Sequence, residues 1–327
     1  MQKNPLLRKG LAIGIILLFV ATGIIPAIAQ DTEKTLPTSR GNWLYVGGSG
    51  PGNYTKIQDA IDNASDGDTV FVYSGNYQKG MIRVNKTINL RGEDKNTTVI
   101  DGCRQNYVFK LYDVDFAELF IEIKGFTIQN AMWAGIGIFS YNNTISGNII
   151  QNNEAGIALS WAGNNLIYGN VIRKNSFGIR TSSSYVLNNK IERNIIENNS
   201  YGLNIKEWAD HTIVQYNNII NNSDYGIVVN SCHNTVVEKN NIFGNHQNAY
   251  FIIYFNSLKD WSEDKITWKE NYWGKTPLRH MAIHGLMEIY IIFGQPPPPH
   301  DPIWCDIKWL NFDWRPAQEP YDIPDMS

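Results

Sequence analysis

The chain has 327 residues, with 28 Lys and Arg against 31 Asp and Glu and a formal net charge of −3. That balance offers no basic footprint and excludes nucleic acid as a partner. Three cysteines (Cys103, Cys232 and Cys305) are too few for a disulfide framework: one pair can bridge and leave a thiol over, or all can stay unpaired.

In chain order, the N-terminus reads as a secretory signal over 1–29. Lys3, Arg8 and Lys9 precede the uncharged run Leu11 to Ile25, and Ala27-Ile28-Ala29 supplies small residues for cleavage before Gln30. The alternative is an uncleaved anchor, since Gly10 to Gln30 is just long enough to span a membrane. Either way the rest lies outside the cytoplasm, secreted or on the cell surface, with any membrane contact through this segment alone. A polar linker occupies 30–42. Thr55 to Ala64 then forms a short amphipathic helix, with Ile57, Ala60, Ile61 and Ala64 on one face and Thr55 as N-cap. Strands are expected at Thr69–Tyr73, Ile82–Val84, Thr87–Arg91 and Thr98–Ile100.

From residue 126 to 250 a phrase recurs about every 22 to 24 residues. Asn148, Asn170, Asn194, Asn218 and Asn241 open it, and Gly156, Gly178, Gly202, Gly226 and then Ala249 follow eight positions later. Apolar residues come two after each Asn (Ile150, Ile172, Ile196, Ile220, Phe243). A third inward strand runs through Ile145, Ile167 and Ile191, three before the next Asn, and through Ile213 and Val236, five before. Repeats of this length form solenoids whose core exists only once the turns are stacked. The apolar runs are short and β-branched, so each turn holds about three strands. The glycine is expected at a bend needing positive φ or a close backbone approach. The asparagines should stack at the strand spacing of about 4.8 Å. The fold expected is all-β: a single-stranded right-handed parallel β-helix over 43–275, with an N-terminal capping helix. A Trp- and Pro-rich extension over 276–327, including Pro296–Pro299, caps the other end. A monomer is expected.

The opening KIQDAIDNASDGDTVFVYSGNY followed by VNKTINLRGEDKNTTVIDG resembles the start of pectin-lyase-like β-helix proteins. The repeat N-x-I-x-x-N-x-x-G-I is similar to NosD-type and carbohydrate-binding β-helix repeats. The ending NYWG with WLNFDWRPAQEPYDIP resembles the tail of archaeal secreted or surface proteins of that group. Together these cover Trp43 to Pro324. The resemblance implies the fold, with lyases, hydrolases, epimerases and copper-maturation proteins among its functions.

Enzymes of this resemblance place their site on one outer sheet. The outward slots after each Gly-apolar pair hold Ala158, Arg180, Asn204 and Val228, with Ser160, Ser182, Lys206 and Asn230 two residues on. Arg180 or Lys206 beside Glu207 and Asp210 would be the minimum for β-elimination from a uronic acid, calcium being the one cofactor such a lyase would need. Paired carboxylates would suit glycoside hydrolysis. The acidic residues do not recur on successive coils, however. The aromatic pattern is clearer: one bend of successive coils offers Tyr141, Trp161, Tyr185, Trp208 and then His233, an elongated stripe suited to sugar faces. Phe177, Tyr201 and Tyr225 form a second ladder, read as packing. The NosD resemblance prompts a copper reading, for which His280 and His284, beside Met281 and Met287, would meet a metal if helical. The reading taken forward is a polysaccharide-binding or structural module without a cofactor, with a polysaccharide lyase or hydrolase as the alternative and copper handling third.

Overall fold

The computed structural model describes residues 41–78, 80–113, 118–182, 185–206, 209–230, 232–255, 266–274, 281–291 and 303–324. The expected signal, most of the linker, Glu207, Trp208, His280 and Pro296–Pro299 lie outside the described residues.

One coil shows how the sequence makes the fold. The strand Thr144–Ser146 lies in a first sheet (A), Ile149–Gln151 in a second (B) and Ala155–Leu159 in a third (C). The chain then returns at Leu166–Tyr168, in parallel register with Thr144–Ser146. Ile145, Ile150, Ile157 and Leu159 point inward and are fully buried. Repetition gives about nine turns of right-handed parallel β-helix, with ten strands in sheet A, eight in sheet B and ten in sheet C among the described residues.

The corners are held by buried asparagine amides. At the A-to-B corner, the backbone N–H and Nδ2 of Asn148 both donate to Asn170 Oδ1 at 3.1 Å, and Asn170 does the same to Asn194 at 3.0 Å. The series continues through Asn217 and Asn240 to Asn271. Each Nδ2 also donates back to a carbonyl of the preceding coil, as from Asn194 to Ile167 O at 2.8 Å. A second ladder at the B-to-C corner runs Asn153, Asn175, Asn199, Asn222, Asn245. A third at the C-to-A corner joins Asn143, Asn165 and Asn189.

Two readings of the repeat are corrected here. The rungs after Asn194 are Asn217 and Asn240, both fully buried, and not Asn218 and Asn241. Ile219 and Ile242 accordingly fill the core in place of Ile220 and Phe243. Val214 and Val237 take the third strand in place of Ile213 and Val236, which restores the three-residue spacing and removes the apparent insertion. The extra residue sits instead between Asn222 and Gly226. The left-handed bend is made by the residue before each ladder asparagine (Gly147, Gly169, Arg193, Tyr216, Lys239 and Glu270). Gly178 is needed for close approach: a Cβ there would stand 2.8 Å from Ile196 Cγ2 and would collide with the Gly202 carbonyl.

At the N-terminal end the helix Ile57–Asn63 packs Ile57, Ala60 and Ile61 into the core. Its N-cap position is Lys56, with no side-chain cap, so Thr55 does not serve. Lys86 Nζ instead ties down the far end, donating to the carbonyls of Ile61, Asp62 and Ala64. At the other end the strands Met281–Ile291 and Ile303–Asp313 extend sheet C as an antiparallel pair. Asp313, fully buried, terminates the first ladder: it accepts from the Asn271 and Glu270 N–H groups, from Asn271 Nδ2, from Trp273 Nε1 and from the Arg315 N–H. The tail then runs back along the coil, where Asn241 brackets the Tyr321 backbone with two 2.8 Å bonds. That contact explains why the second asparagine of the 240–241 pair faces outward.

Asn194→Ala would strand two buried donors of Asn170 and should lower unfolding stability by about 3 kcal/mol in urea titration. Asn198→Gly, at a left-handed position, should change it by less than about 1 kcal/mol. Asp313→Ala orphans several donors at once and should lower stability by about 3 kcal/mol or more on the same measurement.

Candidate functional site

The C-to-A corner is the irregular one. Its asparagine ladder gives way after Asn189 to Thr212 and Thr235, whose hydroxyls bond to the Ala209 carbonyl. Backbone pairing joins its bends throughout, from Asn142 N to Gly163 O at 3.0 Å and from Asn164 N to Leu187 O at 2.9 Å, and then from Asn188 N to Asp210 O at 3.0 Å and from His211 N to His233 O at 2.8 Å. The bends are thus stacked, and their side chains stand one above another.

On this corner Tyr141 is 37 % exposed, Trp161 55 % and Tyr185 54 %. Trp161 and Tyr185 both hold positive φ (51° and 32°), an outlier conformation for bulky residues. Their ring centroids lie 5.0 Å apart at 35°. Tyr141 lies across the bare Gly163, where a Cβ would come within 2.6 Å of its ring. Three successive coils therefore present three large rings to solvent. Trp208, the expected next member, is outside the described residues. His233 differs in kind: its backbone N–H donates to Asp210 Oδ1 at 2.7 Å and its Nδ1 lies 3.1 Å from the same oxygen.

The candidate catalytic residues do not gather into one cluster among the described residues. Arg180, on the outer face of sheet C, places its guanidinium 5.5 Å from the centre of the Phe177 ring. Lys206 donates its backbone N–H to Thr181 Oγ1, and its carbonyl lies 3.0 Å from Cys232 Sγ. No hydrogen bond or ion pair joins either side chain to Asp210 among the described residues, and Glu207 lies outside them.

The structure adds residues that the repeat phrase could not reach. The register column through Arg180 continues backward as Ala158, Gly137 and Lys110. Lys110 Nζ sits 5.2 Å from the Phe139 ring centre, and Tyr107 meets Trp133 and Phe139 edge-on. Burial pushes the Tyr107 phenol up from its ordinary value, while the Arg180 charge pulls it back. Inward-outward alternation would have signalled this face, but the earlier coils lack the Asn-and-Gly phrase that fixes their phase. The Phe177, Tyr201 and Tyr225 rings stack at 5.0 and 5.3 Å and are half-buried.

A coil of three parallel sheets with amide ladders at its corners defines a pectin-lyase-like right-handed β-helix protein. The chain belongs to the NosD family: the profile described as "Periplasmic copper-binding protein (NosD)" matches residues 61–278. Among solved structures it is similar to pectate lyase Pel9A, at 14 % identity and a TM-score of 0.52, covering 72 % of this chain and 71 % of that one. It is also similar to the A-module of Azotobacter vinelandii mannuronan C-5 epimerase AlgE4, at 14 % identity and a TM-score of 0.44, covering 66 % and 73 %. A third is an alginate lyase from Paenibacillus sp. str. FPU-7, at 15 % identity and a TM-score of 0.37, covering 70 % and 81 %. At such identities the likeness concerns the fold alone. No curated protein matches.

The described residues contain no group of three or more His, Cys, Asp or Glu side chains able to hold a metal, calcium included. His284 lies on the strand Met281–Ile291 and not on a helix, and His280 lies outside the described residues. His284 is exposed, whereas Met281 packs against the core.

Removing the Arg180 charge should raise the Tyr107 pKa further. Arg180→Gln followed by NMR titration of labelled tyrosine checks this; a fall would contradict the placement of Arg180.

Proposed function

We propose that the chain is an exported NosD-family β-helix protein that binds a polysaccharide or glycan across the Tyr141, Trp161 and Tyr185 corner. The observation that carries the reading is the pair Trp161 and Tyr185: two adjacent rings, each more than half exposed, held outward on left-handed backbone. Left-handed backbone costs roughly 1 kcal/mol or more at such residues, and folding alone gives no return for exposing them. Rings spaced by one coil match a sugar chain, whose apolar faces stack on aromatic rings while Asn and Ser side chains nearby meet its hydroxyls. Export is supported by the signal-like N-terminus and by the word periplasmic in the family's description.

The enzymatic alternative would draw on Asp210 with Arg180 or Lys206. Asp210 is engaged by His233 and Arg180 lies against the Phe177 ring, so binding is the better-supported reading.

The test is a glycan-array screen of the full chain, with calorimetry on any hit. Trp161→Ala and Tyr185→Ala should each weaken binding about tenfold, equivalent to about 1.4 kcal/mol, with thermal stability nearly unchanged. Binding indifferent to both substitutions would sink the proposal. Accumulation of unsaturated uronate during incubation with a hit would replace it with the lyase reading.

A further inference from the structure

At the opposite end of the sheet A strands, the A-to-B corner of the early coils carries an open cavity of about 490 Å³. Its lining includes Arg91, Lys124, Ser146 and Tyr168, which occupy one outward register column of sheet A on four successive coils. The cavity exists here because of glycine. Gly125 and Gly147 make the left-handed bend without side chains, whereas Arg193, Tyr216, Lys239 and Glu270 fill the same position on later coils. Gly92 is bare for another reason, since a Cβ there would meet the Gly125 carbonyl.

The electrostatics of this column are unbalanced. Arg91 and Lys124 are direct register partners, and like charges so opposed destabilise a sheet. Both are exposed, and neither makes an ion pair or hydrogen bond among the described residues. Lys95 also lines the cavity, and the two carboxylates at the rim take their hydrogen bonds from neutral donors and not from Arg91 or Lys124. Asp94 Oδ1 accepts from the N–H and Nδ2 of Asn96, and Glu93 Oε2 from the Ser74 N–H at 2.8 Å. The Ser74 N–H, then its hydroxyl, hold the Glu93 carboxyl below its usual range, so it stays ionised without help from Arg91. Next to Lys124 in the column is Ser146, 1 % exposed, whose Oγ has no hydrogen-bond partner. A buried hydroxyl without a partner costs about 1–3 kcal/mol, and Lys124 runs its methylenes over the adjacent Gly147.

We propose that this cavity is an oxyanion site, in which Arg91, Lys124 and the Ser146 hydroxyl together bind a phosphate- or sulfate-type group. Two cations on neighbouring coils and one hydroxyl supply donors to several oxygens of one anion, and charge-assisted bonds of this kind are the strong ones. The anion relieves the opposition of Arg91 and Lys124 and gives Ser146 the partner it lacks. The volume falls in the range of small-molecule sites, so there is room for a sugar attached to the anion, with the Tyr168 ring as one wall. The site does not depend on the aromatic corner or on the function proposed for it.

Calorimetry of the full chain with inorganic phosphate, inorganic sulfate and glucose 6-phosphate tests the proposal. At least one probe should bind, and Lys124→Gln and Arg91→Gln should each weaken it at least tenfold, with Lys174→Gln as a control that leaves it unchanged. Ser146→Ala separates the site from a mere packing fault: it should weaken anion binding several-fold while leaving the thermal midpoint of the unliganded protein unchanged or raised. A sugar ester bound tenfold more tightly than the free ions would assign the site to an anionic saccharide, and equal affinity to the free ion. Absence of binding by all three probes, or binding that survives both cation substitutions, would overturn the proposal.

Discussion

The buried side-chain amide at the coil corner is the interaction on which the rest of the structure depends. A chain that turns three times per coil must bend its backbone away from the sheet ladders at every corner, and buried polar groups left there would each cost a hydrogen bond. An asparagine solves this because its amide both donates and accepts across the 4.8 Å between coils. Asn194 shows the full set: it accepts from Asn170 on one side, and donates to Asn217 on the other and to two carbonyls. The same arrangement dictates how the ladders end. Asn143 Oδ1, at the start of the third ladder, is left without a donor, and Asp313 at the far end of the first supplies an acceptor for several at once.

The first two corners are short, whereas the third is longer and varies from coil to coil even where its asparagines persist. The first two corners keep their asparagines to the end of the described coils. The third carries Trp161 and Tyr185 in the bends that lead into Asn165 and Asn189, and after Asn189 it loses its ladder and carries the Asp210–His233 pair. The functional candidates thus flank sheet A. Rings stand at the corner the chain crosses before its strands, and the glycine-walled cavity lies at the corner it crosses after them. The strand between, Thr144–Ser146, is three residues long, or about 10 Å. The family description names copper, and among the described residues no three His, Cys, Asp or Glu side chains come together. The site must be argued from its own geometry.

Much of this was legible in the sequence. The repeat length, the inward isoleucines and the terminal helix follow from alternation and periodicity, which are properties of a single strand or helix. The exposure of Trp161 follows too, because the phrase fixes which residues lie in the variable bend. The ends were less legible. Apart from the Arg315 N–H bond, Asp313 and Lys86 act through partners 22 to 43 residues away, so little in their local sequence marks them.

The sequence by itself determined the fold class, the coil and the face that each regular residue takes, since period-two geometry leaves little freedom once the repeat is found. The tertiary structure alone decided the frame wherever two asparagines stand side by side. Asn217 and Asn218 are chemically identical, and only the position of Asn194 one coil below selects the first for the ladder and leaves the second to bond the tail at Ile323. It also brought Arg91, Lys124 and Ser146 into one column, because coils without the repeat phrase acquire their register only by stacking.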